Sequence, residues 1–109
     1  MHALDFKGSL EKLLVSYIGD SDLSVEHAAA LCNTSKRTLQ RKLKEMGTQY
    51  KTIIDHARFH VASQMLRNTN AKVYEIASFL GYSDSTNFPR AFRRIAGVSP
   101  QAYRQQYTQ

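Results

Sequence analysis

The sequence has very little cysteine and no long apolar stretch, and each shortage excludes a class of protein. The single cysteine, Cys32, rules out an internal disulfide framework and is typical of a reducing compartment. No apolar run approaches the roughly 18 residues that a membrane span needs. The first residues also lack the basic and then apolar pattern of a secretory signal. We therefore expect a globular, cytoplasmic protein that does not enter a membrane.

Acidic residues become scarce after the first third of the chain. Residues 1–34 contain two Lys or Arg against five Asp or Glu, whereas residues 35–109 contain thirteen against four. A basic region attracts polyanions at long range and binds them in a salt-dependent way. Composition alone leaves two alternatives open: a surface that its charge keeps soluble, or a helical adaptor whose basic face binds an acidic protein.

Strand patterns are also missing, since no clean apolar–polar alternation runs between turn residues. Apolar residues recur instead at three- and four-residue intervals, with Ser24 and Ser35 placed as helix caps and Pro100 in a first helical turn. The sequence therefore predicts an all-α fold of seven helices. Their approximate bounds are 6–18, 25–32, 36–46, 49–67, 73–80, 88–96 and 100 onward.

Two stretches of the chain repeat each other. Residues 25–29 correspond to 73–77 at an offset of 48, and residues 39–44 correspond to 88–93 at an offset of 49. Each copy is a short helix, a turn and a second helix of mixed basic and apolar character, which is the helix-turn-helix arrangement of homeodomain-like proteins. We predict a first helix-turn-helix unit within residues 1–47, a linker helix within 48–70 and a second unit within 71–109.

The second helix of the first unit has the residues that a DNA recognition helix needs. Leu39 and Leu43 are expected to face the core, which leaves the basic and amide side chains outside. Arg pairs with guanine and Gln with adenine through two hydrogen bonds each. We assign base contacts to Arg37, Gln40 and Arg41, and backbone contacts to Lys36, Lys42 and Lys44.

The second unit has a more polar start. Base contacts are assigned to Ser85, Thr86 and Arg90, and backbone contacts to Arg93, Arg94 and Arg104. Asp84 repels phosphate unless it caps the helix, so we expect Asp84 or Ser83 to be the cap. Pro89 lacks the N–H that an earlier helix start would require, which predicts a shortened or bent first turn.

The predicted linker helix has a length suited to duplex DNA. Roughly 19 residues span about 28 Å, and successive major-groove segments on one face of the duplex lie roughly 34 Å apart. We expect this domain, as a monomer, to insert its two recognition helices in adjacent segments of double-stranded DNA, with some bending.

Other chemistries have weaker support. His56 and His60 have metal-ligand spacing but no third ligand near them in sequence, and Cys32 lies at the end of an apolar helix without a paired base. No glycine-rich phosphate loop or carboxylate pair suggests an enzyme, so we expect no catalysis, no metal and no cofactor. Tyrosine rings can stack on RNA bases, but five tyrosines are interpreted as packing residues: Tyr50, Tyr74, Tyr82, Tyr103 and Tyr107.

The chain also resembles a known family over residues 6 to 106. The segments IA at 76–77, GYS at 81–83, NFPRAFRR at 87–94, GVSP at 97–100 and YR at 103–104 match its signature nearly position for position. The segment LQRKLK at 39–44 fits the first unit, and Arg58, Ala62, Met65 and Leu66 are similar to the connecting helix. The family is the DNA-binding domain of AraC/XylS-type bacterial transcription regulators.

This resemblance implies two units inserted in a promoter, usually to activate transcription by contacting RNA polymerase, in a protein associated with the bacterial nucleoid. It implies base contacts at the same six residues assigned above. Pro89 departs from the small polar residue common at its position, so no contact is assigned to it. Most members carry a further ligand-sensing or dimerising domain, so we expect this chain to be a fragment of a larger regulator that dimerises elsewhere, rather than a stand-alone member.

Overall fold

A computed structural model describes residues 3–19 and 23–107, which form seven α-helices. In chain order these are α1 (Ala3–Tyr17), α2 (Val25–Leu31), α3 (Lys36–Glu45), α4 (Tyr50–Asn68), α5 (Val73–Phe79), α6 (Asn87–Ala96) and α7 (Pro100–Tyr107). The predicted all-α fold is confirmed, and the described residues include no strand. None of the helices described is long and apolar enough to cross a membrane.

The chain divides into two compact units, Met1–Ala57 and Arg58–Gln109. The sequence predicted a separate linker at residues 48–70. In the structure α4 lies within that range, and the division between the two units falls inside it.

Side-chain caps explain where three of the seven described helices begin. Ser24, Ser35 and Ser99 each accept a hydrogen bond from the backbone N–H three residues later, at 3.2, 3.1 and 3.1 Å. Each bond satisfies a donor that the first helical turn leaves without a partner. Gly47 and Gly97 follow α3 and α6 with φ values of +77° and +81°, which glycine adopts without strain. The sequence predicted the caps Ser24 and Ser35, the start of the last helix at Pro100, and helix ends near residues 46 and 96.

The first helix of each unit ends in the same way, although four residues separate α2 from α3 and seven separate α5 from α6. The N–H of Thr34 bonds to the carbonyl five residues earlier at 3.0 Å, and the N–H of Tyr82 does so at 3.1 Å. The residue before each donor is left-handed: Asn33 has φ +55° and Gly81 has φ +95°. This is the Schellman ending of a helix. The sequence repeat at an offset of 48 is therefore a repeat of backbone structure.

Each unit has its own apolar core. Ala29 and Ala77, the small residues at the predicted helix crossings, are buried in their respective units. In the first unit the buried residues include Leu10, Leu14, Leu39, Leu43, Ile53 and Ile54. In the second they include Ala62, Leu66, Ile76, Leu80, Phe88 and Phe92.

Aromatic rings dominate the second core. The ring of Phe92 lies 4.9 Å from Phe59 and 5.3 Å from Tyr103, measured between ring centroids. The prediction that the tyrosines pack in cores is therefore confirmed for Tyr103. It is wrong for Tyr74 and Tyr107, which are 60% and 55% exposed.

The start of α6 corrects the predicted cap. The helix begins at Asn87 after Thr86 in the cap position, and neither Ser83 nor Asp84 occupies that position. Asp84 instead accepts hydrogen bonds from the N–H and the hydroxyl of Thr86, at 3.0 and 2.8 Å, in a turn before the helix. An earlier start would need the N–H that Pro89 lacks, whereas the third helical position needs none. The predicted shortened start is confirmed.

Candidate nucleic-acid interface

Helix α3, which the sequence predicts to be the first recognition helix, has a buried face and a polar face. Leu39 and Leu43 are fully buried in the first unit. The predicted base-contacting residues Arg37, Gln40 and Arg41 are all exposed. An exposed helix face of this kind can enter the major groove, where guanidinium and amide groups bond to base edges.

The lysines of α3 differ in their surroundings. Lys36 Nζ lies 3.0 Å from a carboxylate oxygen of Glu26, and its hydrogen bond holds the pKa of that carboxyl below its ordinary value. Both side chains are exposed, so the pair is weak enough to give way to a phosphate. Lys42 Nζ lies 5.2 Å from the ring centroid of Phe6. All three lysines predicted to contact the DNA backbone, Lys36, Lys42 and Lys44, are exposed.

A groove beside α3 contains an exposed cation, Lys51, that was not predicted from the sequence. It is lined by Gln40 and Lys44 of α3 and by Tyr50 and Lys51 at the start of α4. The hydroxyl of Tyr50 donates to the carbonyl of Leu23 at 2.7 Å, which holds this end of α4 in the first unit. Lys51 is 68% exposed beside its partner Asp55 and brings a second cation to the groove. Lys51 is the second residue of a different helix, α4, and no sequence pattern indicated that it lies beside α3.

Helix α6, which the sequence predicts to be the second recognition helix, also has a buried face and a polar face. Phe88 and Phe92 are buried at the positions that correspond to Leu39 and Leu43. The predicted contact residues Ser85, Thr86, Arg90, Arg93 and Arg94 are all exposed. Arg90 follows Phe88 by two positions, as Arg41 follows Leu39, so the two arginines occupy equivalent places in the two units.

The polar start of the second unit is already partly engaged. The N–H and hydroxyl of Thr86 hold the pKa of the Asp84 carboxyl below its ordinary value. The Thr86 hydroxyl therefore donates its single proton to Asp84, and its oxygen can only accept a hydrogen bond from a base. Arg90 carries most of the capacity of this unit to donate to a base edge.

Arg104, which the sequence assigned to the DNA backbone, is bonded to its own main chain. Its Nε donates to the carbonyl of Leu66 at 3.0 Å, and its Nη2 donates to the carbonyls of Thr69 and Ala71 at 3.2 and 2.7 Å. These carbonyls lie at the end of α4 and in the connection to α5. The guanidinium thus joins α7 to that connection within the second unit.

The other candidate sites have simpler surroundings. Burial raises the pKa of the Cys32 thiol, which disfavours the thiolate that a nucleophile needs. His56 and His60 are exposed on α4, and no cluster of three His, Cys, Asp or Glu side chains suited to a metal occurs among the described residues.

Comparison with known proteins agrees with this geometry. Residues 18–106 match the family model of a helix-turn-helix domain. The chain is 42% identical over 96 residues to the ornithine utilization regulator of Pseudomonas aeruginosa, an alignment that covers 88% of this chain and 28% of that protein. The chain therefore spans less than a third of the length of this curated relative.

Solved structures give the same result. An AraC-type transcriptional regulator from Chromobacterium violaceum has a TM-score of 0.80 at 25% identity, over 96% of this chain and 95% of that chain. The DNA-binding domain of the global transcriptional factor AdpA, solved in complex with a target DNA, has a TM-score of 0.77 at 25% identity, over 93% of this chain and 91% of that chain. The chain belongs to the helix-turn-helix family of AraC-type DNA-binding transcriptional regulators.

Proposed function

We propose that this chain binds double-stranded promoter DNA sequence-specifically, with α3 and α6 in adjacent major-groove segments. The observation that carries the proposal is the backbone repeat: two helices with the same Schellman ending are each followed by a helix with an exposed arginine two positions after a buried apolar residue. One chain thus supplies two recognition helices, as a dimer of single units would. A monomer of this domain is sufficient for both contacts.

Base contacts are proposed for the six exposed residues of the two helices. Arg37, Gln40 and Arg41 supply guanidinium and amide groups that bond to guanine and adenine. Ser85, Thr86 and Arg90 supply the contacts of the second unit, where Arg90 is the strongest donor. We infer an asymmetric site with a stronger base preference under the first unit.

Backbone contacts are proposed for the surrounding cations. On the first unit these are Lys36, Lys42 and Lys44. Lys51 is added to them because it lines the groove beside α3 together with Lys44. On the second unit they are Arg93 and Arg94, since Arg104 is engaged with its own main chain. Each neutralised phosphate releases counterions and steepens the salt dependence of binding.

The regulatory outcome proposed is activation of transcription. Among the relatives, a protein of Rhodococcus named transcriptional activator NphR is 25% identical over 98% of this chain. We propose that the DNA-bound chain contacts RNA polymerase, and that the whole protein dimerises through residues beyond this domain. The chain covers 32% of NphR, so the remainder of such a protein has room for a further domain.

A selection from randomised duplexes tests the DNA-binding proposal. We expect an enriched motif with two parts about one helical turn apart, or 10–10.5 base pairs. Arg41→Ala and Arg90→Ala should each cost about 1–3 kcal/mol of discrimination at one part of the motif. Lys44→Ala is the matched control, because a phosphate contact weakens binding to all sequences alike and lowers the salt slope by about 0.9.

Two results would contradict the proposal. Absence of any enriched motif at moderate salt would reject sequence-specific binding and favour a basic adaptor for an acidic protein. Equal or greater base preference under the second unit would reject the proposed asymmetry while leaving DNA binding intact.

A further inference from the structure

Arg58, on α4, has contacts that none of the functions above uses. Its Nε donates to the carbonyl of Leu80 at 3.2 Å, and its guanidinium carbon lies 4.8 Å from the centroid of the Tyr82 ring. Gly81, between these two residues, lies beside the guanidinium: a Cβ built there would be in ordinary contact with Arg58 Nη2 at 3.8 Å, so glycine is needed for its φ of +95° rather than for space. The Arg58 side chain thus makes two contacts with the turn between α5 and α6, one with the Leu80 carbonyl and one with the Tyr82 ring.

This turn determines the direction of α6. Leu80 ends α5, and residues 83–87 that follow Tyr82 are exposed, so they have little core packing to orient them. The ring of Tyr82 lies 5.7 Å from that of Phe88, the first buried residue of α6. The contacts therefore run from Arg58 through Tyr82 to the start of the recognition helix.

The second unit needs this support more than the first. In the first unit Ser35 caps α3 directly, and the Lys36–Glu26 pair joins α3 to α2. In the second unit Thr86 makes no side-chain cap bond, and Pro89 shortens the helix start. The orientation of α6 consequently depends on contacts made before the helix begins.

Arginine is suited to this position for physical reasons. The carbonyl of Leu80 belongs to the C-terminal end of a helix, where the backbone dipole favours a cation. The planar guanidinium can donate to that carbonyl and still stack on a tyrosine face, whereas the ammonium of lysine cannot do both with the same geometry.

We propose that Arg58 is a positioning residue for the second recognition helix: it holds the α5–α6 turn so that Arg90 meets its base pair. Arg58 touches the turn and makes no base contact itself. The inference rests on the proposed function, because it names the residue on which base preference under the second unit depends.

The test compares Arg58→Gln and Arg58→Lys with Arg67→Gln in the full chain. Arg67, also on α4, lies 5.7 Å from the ring of Tyr107 instead of the turn, so its variant removes the same charge from the same helix. For Arg58→Gln we expect discrimination under the second unit to fall by about 5- to 150-fold, the value of one bidentate base contact. Discrimination under the first unit and the salt slope should not change. Arg58→Lys should lose most of the same discrimination, and Arg67→Gln none.

Hydrogen exchange of the DNA-free protein supplies a second measurement. The N–H of Tyr82, bonded within the turn, should exchange at least about tenfold faster in Arg58→Gln, while that of Thr34 in the equivalent turn keeps its rate. Faster exchange throughout the second unit would indicate a general loss of stability and would overturn the inference.

Each binding result decides between the two proposals. If the wild-type chain selects a two-part motif and Arg58→Gln keeps both parts, the positioning role is rejected and the proposed function stands. If Arg58→Gln weakens binding to all duplexes, lowers the salt slope and is rescued by Arg58→Lys, then Arg58 contacts a phosphate and the inference is wrong. If the wild-type chain selects no motif, both proposals fail.

Discussion

Replacement of Arg104 distinguishes the role seen in the structure from the role that the sequence predicted. Arg104→Gln removes a cation that donates to three carbonyls, those of Leu66, Thr69 and Ala71, at 2.7–3.2 Å. Hydrogen bonds from a charged group contribute about 1.5–3 kcal/mol each when shielded from solvent. Thr69 is exposed and Leu66 is buried, so the three bonds are not equally shielded. We therefore expect a total loss of about 2–4 kcal/mol in the free energy of unfolding.

The assay pairs unfolding with a salt titration of DNA binding. A loss of that size lowers the unfolding midpoint by roughly 10–30 °C in a domain of this size, as followed by circular dichroism. The control Arg93→Gln removes the same charge from an exposed position on α6 and should change stability by less than about 0.5 kcal/mol. At a temperature where all variants are folded, Arg93→Gln should lower the salt slope by about 0.9 and Arg104→Gln should leave it unchanged. An unchanged midpoint with a lower slope for Arg104→Gln would refute this reasoning and restore the predicted phosphate contact.

Three further predictions concern the helix starts. Pro89→Gln restores a backbone N–H and places an amide side chain at the position equivalent to Gln40. We therefore expect α6 to gain helical residues at its start and base preference under the second unit to increase. Unchanged Cα chemical shifts at residues 85–86 would contradict the expected longer helix. Ser35→Ala removes the cap of α3 and should cost about 1 kcal/mol in urea unfolding, and a cost below about 0.3 kcal/mol would show that water replaces the cap. Because hydrogen bonds from Thr86 lower the pKa of Asp84 in the folded state, Asp84 stabilises the turn at neutral pH and loses this effect as the pH falls through the lowered pKa. The stability difference between wild type and Asp84→Ala should therefore be constant above pH 5, where the carboxyl is ionised in both states, and should shrink below about pH 4; a difference that grows on acidification would have the wrong sign.

Local features of the sequence were enough to predict most of the fold. The caps at Ser24, Ser35 and Ser99 act on donors three residues away, so their effect depends only on the neighbouring chain. The repeat at an offset of 48 likewise follows from one backbone motif, which Asn33 and Gly81 both permit. The exposed face of each recognition helix follows from helical period, because buried apolar positions leave the basic positions outside.

Other outcomes depended on residues far apart in the chain. Arg104 lies 38 positions from Leu66, whose carbonyl it contacts. Arg58 lies 22 positions from Leu80, whose carbonyl it contacts. No local pattern shows which carbonyls at a helix end will lie within reach of a given guanidinium. From the sequence, Arg104 was therefore predicted to contact the DNA backbone like the other exposed cations. The position of Lys51 in the groove beside α3 was not predicted either, because it depends on the turn that brings the start of α4 beside α3.

The start of α6 lies between these two cases. Pro89 by itself determined that the first turn would be shortened, since a missing N–H cannot be supplied by any neighbour. Which residue would take the cap position depended on the turn before it, where Asp84 bonds to Thr86 instead of to the helix. Helix period, caps and the repeat were thus properties of the sequence. The roles of the long cationic side chains were decided by the tertiary structure, because a flexible side chain bonds to whatever carbonyl, ring or solvent the fold places around it.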